Sequence, residues 1–175
     1  MNYDDIEILF AEDSVDDAML TIRALKKSGF TNKLLHVKDG VEALDFMYCR
    51  GIYTDRNPRS RPKLLLLDLK MPKVSGMQVL EKVKSDPDLR SIPAVILTSS
   101  KEDPDIAKCY DLGANSYIVK PVDSDNFFNA IKEIPAGSLV ITFFKPIPEG
   151  ELSRRISCSN IPRILSGPVS VSMEA

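Results

Sequence analysis

A chain of 175 residues, 43% apolar and 27% charged, is long enough for one domain with a real core plus an appendage, and too short for two full domains. Its formal net charge of -2 excludes a global field that would draw nucleic acid or an anionic membrane, so binding specificity must be local. Three scattered cysteines, Cys49, Cys109 and Cys158, lack metal-site spacing and read as free thiols of a reducing compartment.

The start, "MNYDDIEILFAED", is acidic, without the basic-then-apolar pattern of a signal peptide, and no apolar run approaches membrane-spanning length; the expected location is cytoplasmic. "IEILF", Ile6 to Phe10, is the first predicted strand. Ser14 follows as an N-cap with Asp17 three residues on, and Val15, Ala18, Ile22 and Leu25 share a helical face that Gly29 terminates. "KLLHV", Lys33 to Val37, predicts a second strand, and Asp39 with Glu42 forms a capping pair opening a second helix. Cys49 to Lys63, with Gly, two prolines and five basic residues, reads as a long loop, more solvated than functional.

Four consecutive leucines, Leu64 to Leu67, predict a third strand that delivers Asp68. A third helix runs from Ser75 to about Ser85 with Met77, Leu80 and Val83 inward, ending at Asp86-Pro87. Ile92 to Leu97 is the fourth strand; Asp103-Pro104 starts a fourth helix that closes at Leu112-Gly113. Ser116 to Val119 is a short fifth strand, and Asp123 caps a fifth helix with Phe127, Ile131 and Ile134 buried, ending before Pro135. The alternation predicts an α/β fold with a parallel sheet covered on both sides. Residues 135–175 turn rich in Ser, Pro and Gly around one β-like run, "LVITFF", and read as an irregular tail with no recognised output domain; the domain boundary falls near residue 135.

Each strong strand is followed by a chemically distinctive residue: Glu12 and Asp13, then Asp68, then Thr98, then Lys120. In an open parallel sheet the carboxyl ends lie along one edge, so these residues converge there. Three clustered carboxylates repel unless a divalent cation is present, and hard oxygen ligands suit Mg²⁺. With two acids neutralised, the third can attack a phosphoryl group whose oxygens Thr98 and Lys120 hold.

On the motifs "AEDSVDD", "LLLLDLKMPKVSG", "VILTSS" and "GANSYIVKP", in order over roughly residues 5–134, the chain resembles a response-regulator receiver domain of two-component signalling. The resemblance implies a flavodoxin-like (βα)5 doubly wound sheet of strand order 2-1-3-4-5. It implies a Mg²⁺ site formed by Glu12, Asp13, Asp68 and the Lys70 backbone carbonyl, with Asp68 accepting phosphate from a sensor histidine kinase. It further implies phosphate contacts from Thr98 and Lys120, a cis Lys120-Pro121 peptide, and a switch through Thr98 and Tyr117. Lys70 and Ser100 would tune the lifetime of the phosphate.

Output would be altered contact with a downstream protein or a second copy, through the face built from the fourth helix, fifth strand and fifth helix. Neither nucleic acid nor membrane is an expected partner, and no external metabolite is turned over. The long loop, "DGVEALDF" and "VKPVD" resemble most the stand-alone regulators that partner phytochrome-type kinases. His36, the single histidine, has no metal-spaced partner and reads as structural. Two alternatives remain open at this point. A Mg²⁺-dependent aspartyl-phosphate phosphatase would want a second acid where Lys70 stands; a pseudo-receiver scaffold would never accept phosphate.

Overall fold

A computed structural model of the chain describes residues 2–27, 33–99, 105–132 and 134. The expectations placed on Gly29, Ser100, Asp103-Pro104, Cys158 and the segment from Pro135 onward fall outside the described residues.

Five strands, β1 (Ile8–Ala11), β2 (Leu34–Val37), β3 (Leu64–Asp68), β4 (Ala94–Thr98) and β5 (Ser116–Val119), form one parallel sheet in the order β2-β1-β3-β4-β5. Among the described residues, five α-helices connect and cover it: α1 (Val15–Lys27), α2 (Gly40–Met47), α3 (Gly76–Ser85), α4 (Asp105–Asp111) and α5 (Ser124–Lys132). This is the flavodoxin-like arrangement, with its topological switch point between β1 and β3.

The two-residue period of a strand splits the leucine run between two cores. Leu65 and Leu67 join Leu9, Ala11, Ala94 and Ile96 against Ala43 and Phe46 of α2, Val79, Leu80 and Val83 of α3, and Cys109 of α4. Leu64 and Leu66 join Ile8, Phe10, Val95 and Leu97 against Ala18 and Leu25 of α1 and Phe127 and Ile131 of α5. Each fully buried leucine removes apolar area worth about 1.5–3 kcal/mol, so β3, paired on both sides and buried along its whole length, is firmly held. The strand does not stop ahead of the acid: Asp68 is its last residue and is itself buried.

Helix starts follow their caps. Ser75 and Gln78 close a complete capping box on α3. Asp123 and Asn126 bond reciprocally at α5, each backbone N–H donating to the other's side-chain oxygen at 2.9 and 2.8 Å. At α2 only half the expected pair forms. Glu42 N–H donates to Asp39 Oδ1 at 2.8 Å, while the Glu42 carboxylate accepts from Lys38 N–H and from the Tyr53 hydroxyl, both at 3.1 Å.

Two expectations need correction, at Val15 and in the loop after α2. Val15 is 67% exposed, because it opens α1 at the sheet edge before the helix has met the core. On α3, Leu80 and Val83 are fully buried as expected, Met77 packs half-buried against the same core, and Val79 joins them. The loop over residues 49–63 is not simply solvated. It contains a 3-10 turn, Gly51–Tyr53, and drives Arg56 to 6% exposure, its guanidinium 3.7 Å over the Phe46 ring and donating to the Phe46 and Ser60 carbonyls. Tyr53 stacks edge-on to Tyr3 and Phe46, and Asn57 N–H donates to Asp4. A cation over an aromatic face, with both terminal nitrogens donating to carbonyls, is tolerated in a core even though Arg56 Nε is buried without a hydrogen-bond partner among the described residues, and a count of basic residues does not reveal this.

Candidate phosphoacceptor and metal site

Register brings the polar residues together. Ala11 pairs with Leu67, so Glu12 and Asp68, each the next residue, leave neighbouring strands side by side. Thr98 pairs with Val119, and the backbone N–H of the following Lys120 donates to the Thr98 carbonyl at 2.8 Å. The Lys120-Pro121 peptide is cis. Glu12, Asp13, Asp68, Thr98 and Lys120 therefore all stand on the carboxyl edge of the sheet.

Glu12 is fixed at several atoms. Its N–H donates to Val37 O at 3.0 Å, its carbonyl accepts from His36 Nε2 at 2.8 Å, and its Oε1 accepts from Ser14 N–H at 3.2 Å. His36 is thus structural, and it acts on the site by steadying the acid's backbone. Asp68 Oδ2 accepts from Lys70 N–H at 2.8 Å, which turns the chain back over the carboxylate. Gly76 lets α3 begin against this strand end, since a Cβ there would fall on the Asp68 carbonyl oxygen.

The centre of the site is the Lys120 ammonium. It lies 2.6 Å from Glu12 Oε2, 2.8 Å from Asp68 Oδ1 and 3.1 Å from Asp17 Oδ2. Burial alone would push this ammonium down, but the hydrogen bonds it donates to Asp68 and Glu12 outweigh it and hold Lys120 above the ordinary lysine range. It is a fixed point charge, not a proton donor. Burial likewise raises the Glu12 carboxyl above its usual value; Lys120 opposes the rise and the Asp68 charge adds to it.

Oxygens of Glu12, Asp13 and Asp68 all lie within 4.8 Å of one another, with Asp13 exposed and the other two buried. A hard, all-oxygen donor set with an open side fits a small divalent cation. Lys120 currently supplies part of the neutralisation that such a cation would complete. Thr98 is buried beside this edge, and Tyr117 is half-buried on β5 with its ring edge-on to the more exposed Tyr110, centroids 6.3 Å apart. Lys70 is exposed.

Asp17 was missed. Read as the partner of an N-cap, it instead sends its carboxylate across to Lys120. The available signal was its place one helical turn beyond Asp13, on the side of α1 that begins at the sheet edge.

Residues 8–132 match the response regulator receiver domain family. The chain is 39% identical over 127 residues to the probable methanogenesis regulatory protein FilR2 of Methanothrix harundinacea, covering 73% of this chain and 79% of that protein. It is 38% identical over 127 residues to response regulator Rcp1 of Synechocystis, covering 73% and 84%. The Mn²⁺-bound form of Rcp1 superposes with a TM-score of 0.61 at 36% identity, covering 77% of this chain and 94% of that one. The bacteriophytochrome response regulator AtBRR superposes at 0.67 with 46% identity, covering 72% and 89%. A parallel sheet of this order, an acidic trio and lysine on its carboxyl edge, and these relatives agree: the chain belongs to the response regulator receiver domain family of two-component signalling.

Proposed function

We propose that Asp68 is the phosphoacceptor of this receiver domain, taking a phosphoryl group from the phosphohistidine of a sensor kinase in a Mg²⁺-dependent transfer. The carrying observation is the position of Asp68: a buried carboxylate at the end of a fully buried strand, paired to Lys120 at 2.8 Å and within reach of two further acids. A carboxylate oxygen attacks phosphorus, the phosphorus–nitrogen bond breaks, and its electron pair stays on the donor imidazole.

Glu12, Asp13, Asp68 and the Lys70 carbonyl would hold Mg²⁺, which when bound would supply charge neutralisation for the transferring phosphoryl oxygens. The chain's own residues do the rest. Lys70 N–H orients Asp68, whose rigid strand keeps the nucleophile from recoiling. Lys120 exchanges its contact with the carboxylate for one with a phosphoryl oxygen, and Thr98 donates its hydroxyl to another. Movement of Thr98 lets Tyr117 turn inward, changing the face made by α4, β5 and α5, where Tyr110 is exposed.

That face is where a downstream protein or a second copy of the chain would read the signal, and the cognate kinase is of the phytochrome type. Two regulators associated with that class by name, the bacteriophytochrome response regulators AtBRR and RtBRR, support this narrower reading. The setting is cytoplasmic, and no helix among the described residues is long and apolar enough to cross a membrane. Exposed Lys70 beside the site tunes the lifetime of the phosphate, together with Ser100.

Acetyl phosphate with Mg²⁺ should give the native chain a base-labile acyl phosphate that Asp68→Asn lacks. No labelling of the native chain would favour a scaffold that never accepts phosphate. Sustained release from a chromogenic phosphate ester would favour a phosphatase.

A further inference from the structure

We propose that Asp17 is the berth onto which the Lys120 ammonium withdraws when a divalent cation enters among Glu12, Asp13 and Asp68, which makes Asp17 a positioning residue for the site. The inference rests on the cation-dependent reading above. It starts from an interrupted capping box. Asp17 N–H donates to Ser14 Oγ at 3.3 Å, and the reciprocal bond would send the Asp17 carboxylate back to Ser14 N–H. That N–H is already given to Glu12 Oε1 at 3.2 Å, so the Asp17 carboxylate is released from capping. It reaches Lys120 instead, from a residue 103 positions away in sequence.

An ammonium has three N–H donors, and here it meets three carboxylates. Two of these, Glu12 and Asp68, belong to the set whose oxygens cluster tightly enough for a cation; Asp17 does not. A divalent cation and an ammonium repel, and they compete for the same Glu12 and Asp68 oxygens. Asp17 is the contact that survives the competition. It is 43% exposed, so an ammonium drawn toward it also recovers water. Before the cation arrives the Asp17 contact is one of three; afterwards it is the sole carboxylate left to Lys120. Its removal therefore costs more in the loaded state, and cation affinity falls.

The size of the effect is that of a partly exposed ion pair, a loss of about three- to fivefold in affinity. Mg²⁺ is titrated calorimetrically into the full chain and its variants, without phosphodonor. Asp17→Asn should weaken binding by about three- to fivefold, and Asp17→Glu, whose longer side chain still reaches, should restore it. Asp16→Asn makes the same charge change at an exposed neighbour and should cost less than about twofold at 0.1 M salt. In a Lys120→Met background, Asp17→Asn should have no further effect. Equal losses for Asp17→Asn and Asp16→Asn, or a loss that persists without Lys120, would overturn the berth and leave only diffuse charge. If the native chain itself takes up no Mg²⁺, the cation reading fails first and the berth with it.

Discussion

Lys120→Met removes the only cation in contact with Glu12 and Asp68 among the described residues, and the cost can be worked from the geometry. At 2.6 and 2.8 Å, with an effective dielectric of about 20, each contact represents about 6 kcal/mol of attraction before desolvation is subtracted. Truncating one partner of a buried pair leaves the other unpaired at a cost of about 3–5 kcal/mol. The Lys120 side chain is 16% exposed and that of Glu12 1%, so the lower end, about 3 kcal/mol, applies at neutral pH without divalent cation. For a domain of this size that corresponds to a fall in Tm of about 10 °C.

The pH dependence gives a second, independent readout. Burial already places the folded Glu12 carboxyl above its value of 4.5 in an unfolded chain. An acid with a raised folded pKa contributes stability that is present below the unfolded value and lost as pH rises through the folded one. Without Lys120 that rise grows, so the deficit of Lys120→Met should be largest near pH 7 and shrink as pH falls toward 4.5. Urea unfolding in chelator, followed by far-UV circular dichroism across that range, measures both. A loss below about 1 kcal/mol, or a deficit that does not change with pH, would refute the claim that Lys120 is the resident counter-ion of the acid pair.

Two further outcomes are expected. Gly76→Ala drives a methyl into the Asp68 carbonyl oxygen at the start of α3, a backbone obstacle that cannot rotate away, and should destabilise the fold by about 3 kcal/mol in the same urea assay; native-like stability would show that α3 can shift outward. Lys73 donates to Asp39 Oδ2 at 2.5 Å and, ahead of the opposing effect of burial, lowers the Asp39 carboxyl below its usual value. That contribution is present above the unfolded Asp39 pKa and lost as pH falls through the folded one, so Lys73→Met should lower Tm at pH 6 and converge with the native chain on acidification below pH 3.8. Parallel melting curves at every pH would exclude the pair as a contributor.

Much of this was legible because strand-end chemistry is a one-dimensional signal. Asp68 follows four leucines, Thr98 follows "VIL" and Lys120 follows "YIV", so once the strands are parallel their successors must meet. What stayed hidden depends on direction, not position. Asp17 looked like a cap because sequence spacing cannot show that Glu12 had taken the N–H it would have capped. Arg56 looked like a solvated charge because nothing local announces that Phe46 offers its ring and its carbonyl together. Val15 fitted the helical period yet lies where α1 has not reached the sheet, a fact about the start of the helix that periodicity ignores.

The imidazole that steadies Glu12 is also the chain's built-in spectroscopic handle. A carbonyl oxygen can only accept, so the bond from His36 to Glu12 O places the proton on Nε2 and selects one tautomer. With one histidine and no tryptophan, the protein lacks the usual fluorescent reporter but offers a single, unambiguous set of ring signals to nuclear magnetic resonance. Those signals come from a group one hydrogen bond from Glu12. Cation entry or phosphoryl transfer at the sheet edge should therefore be observable at His36 without isotope-edited assignment of the rest of the chain and without attaching a label.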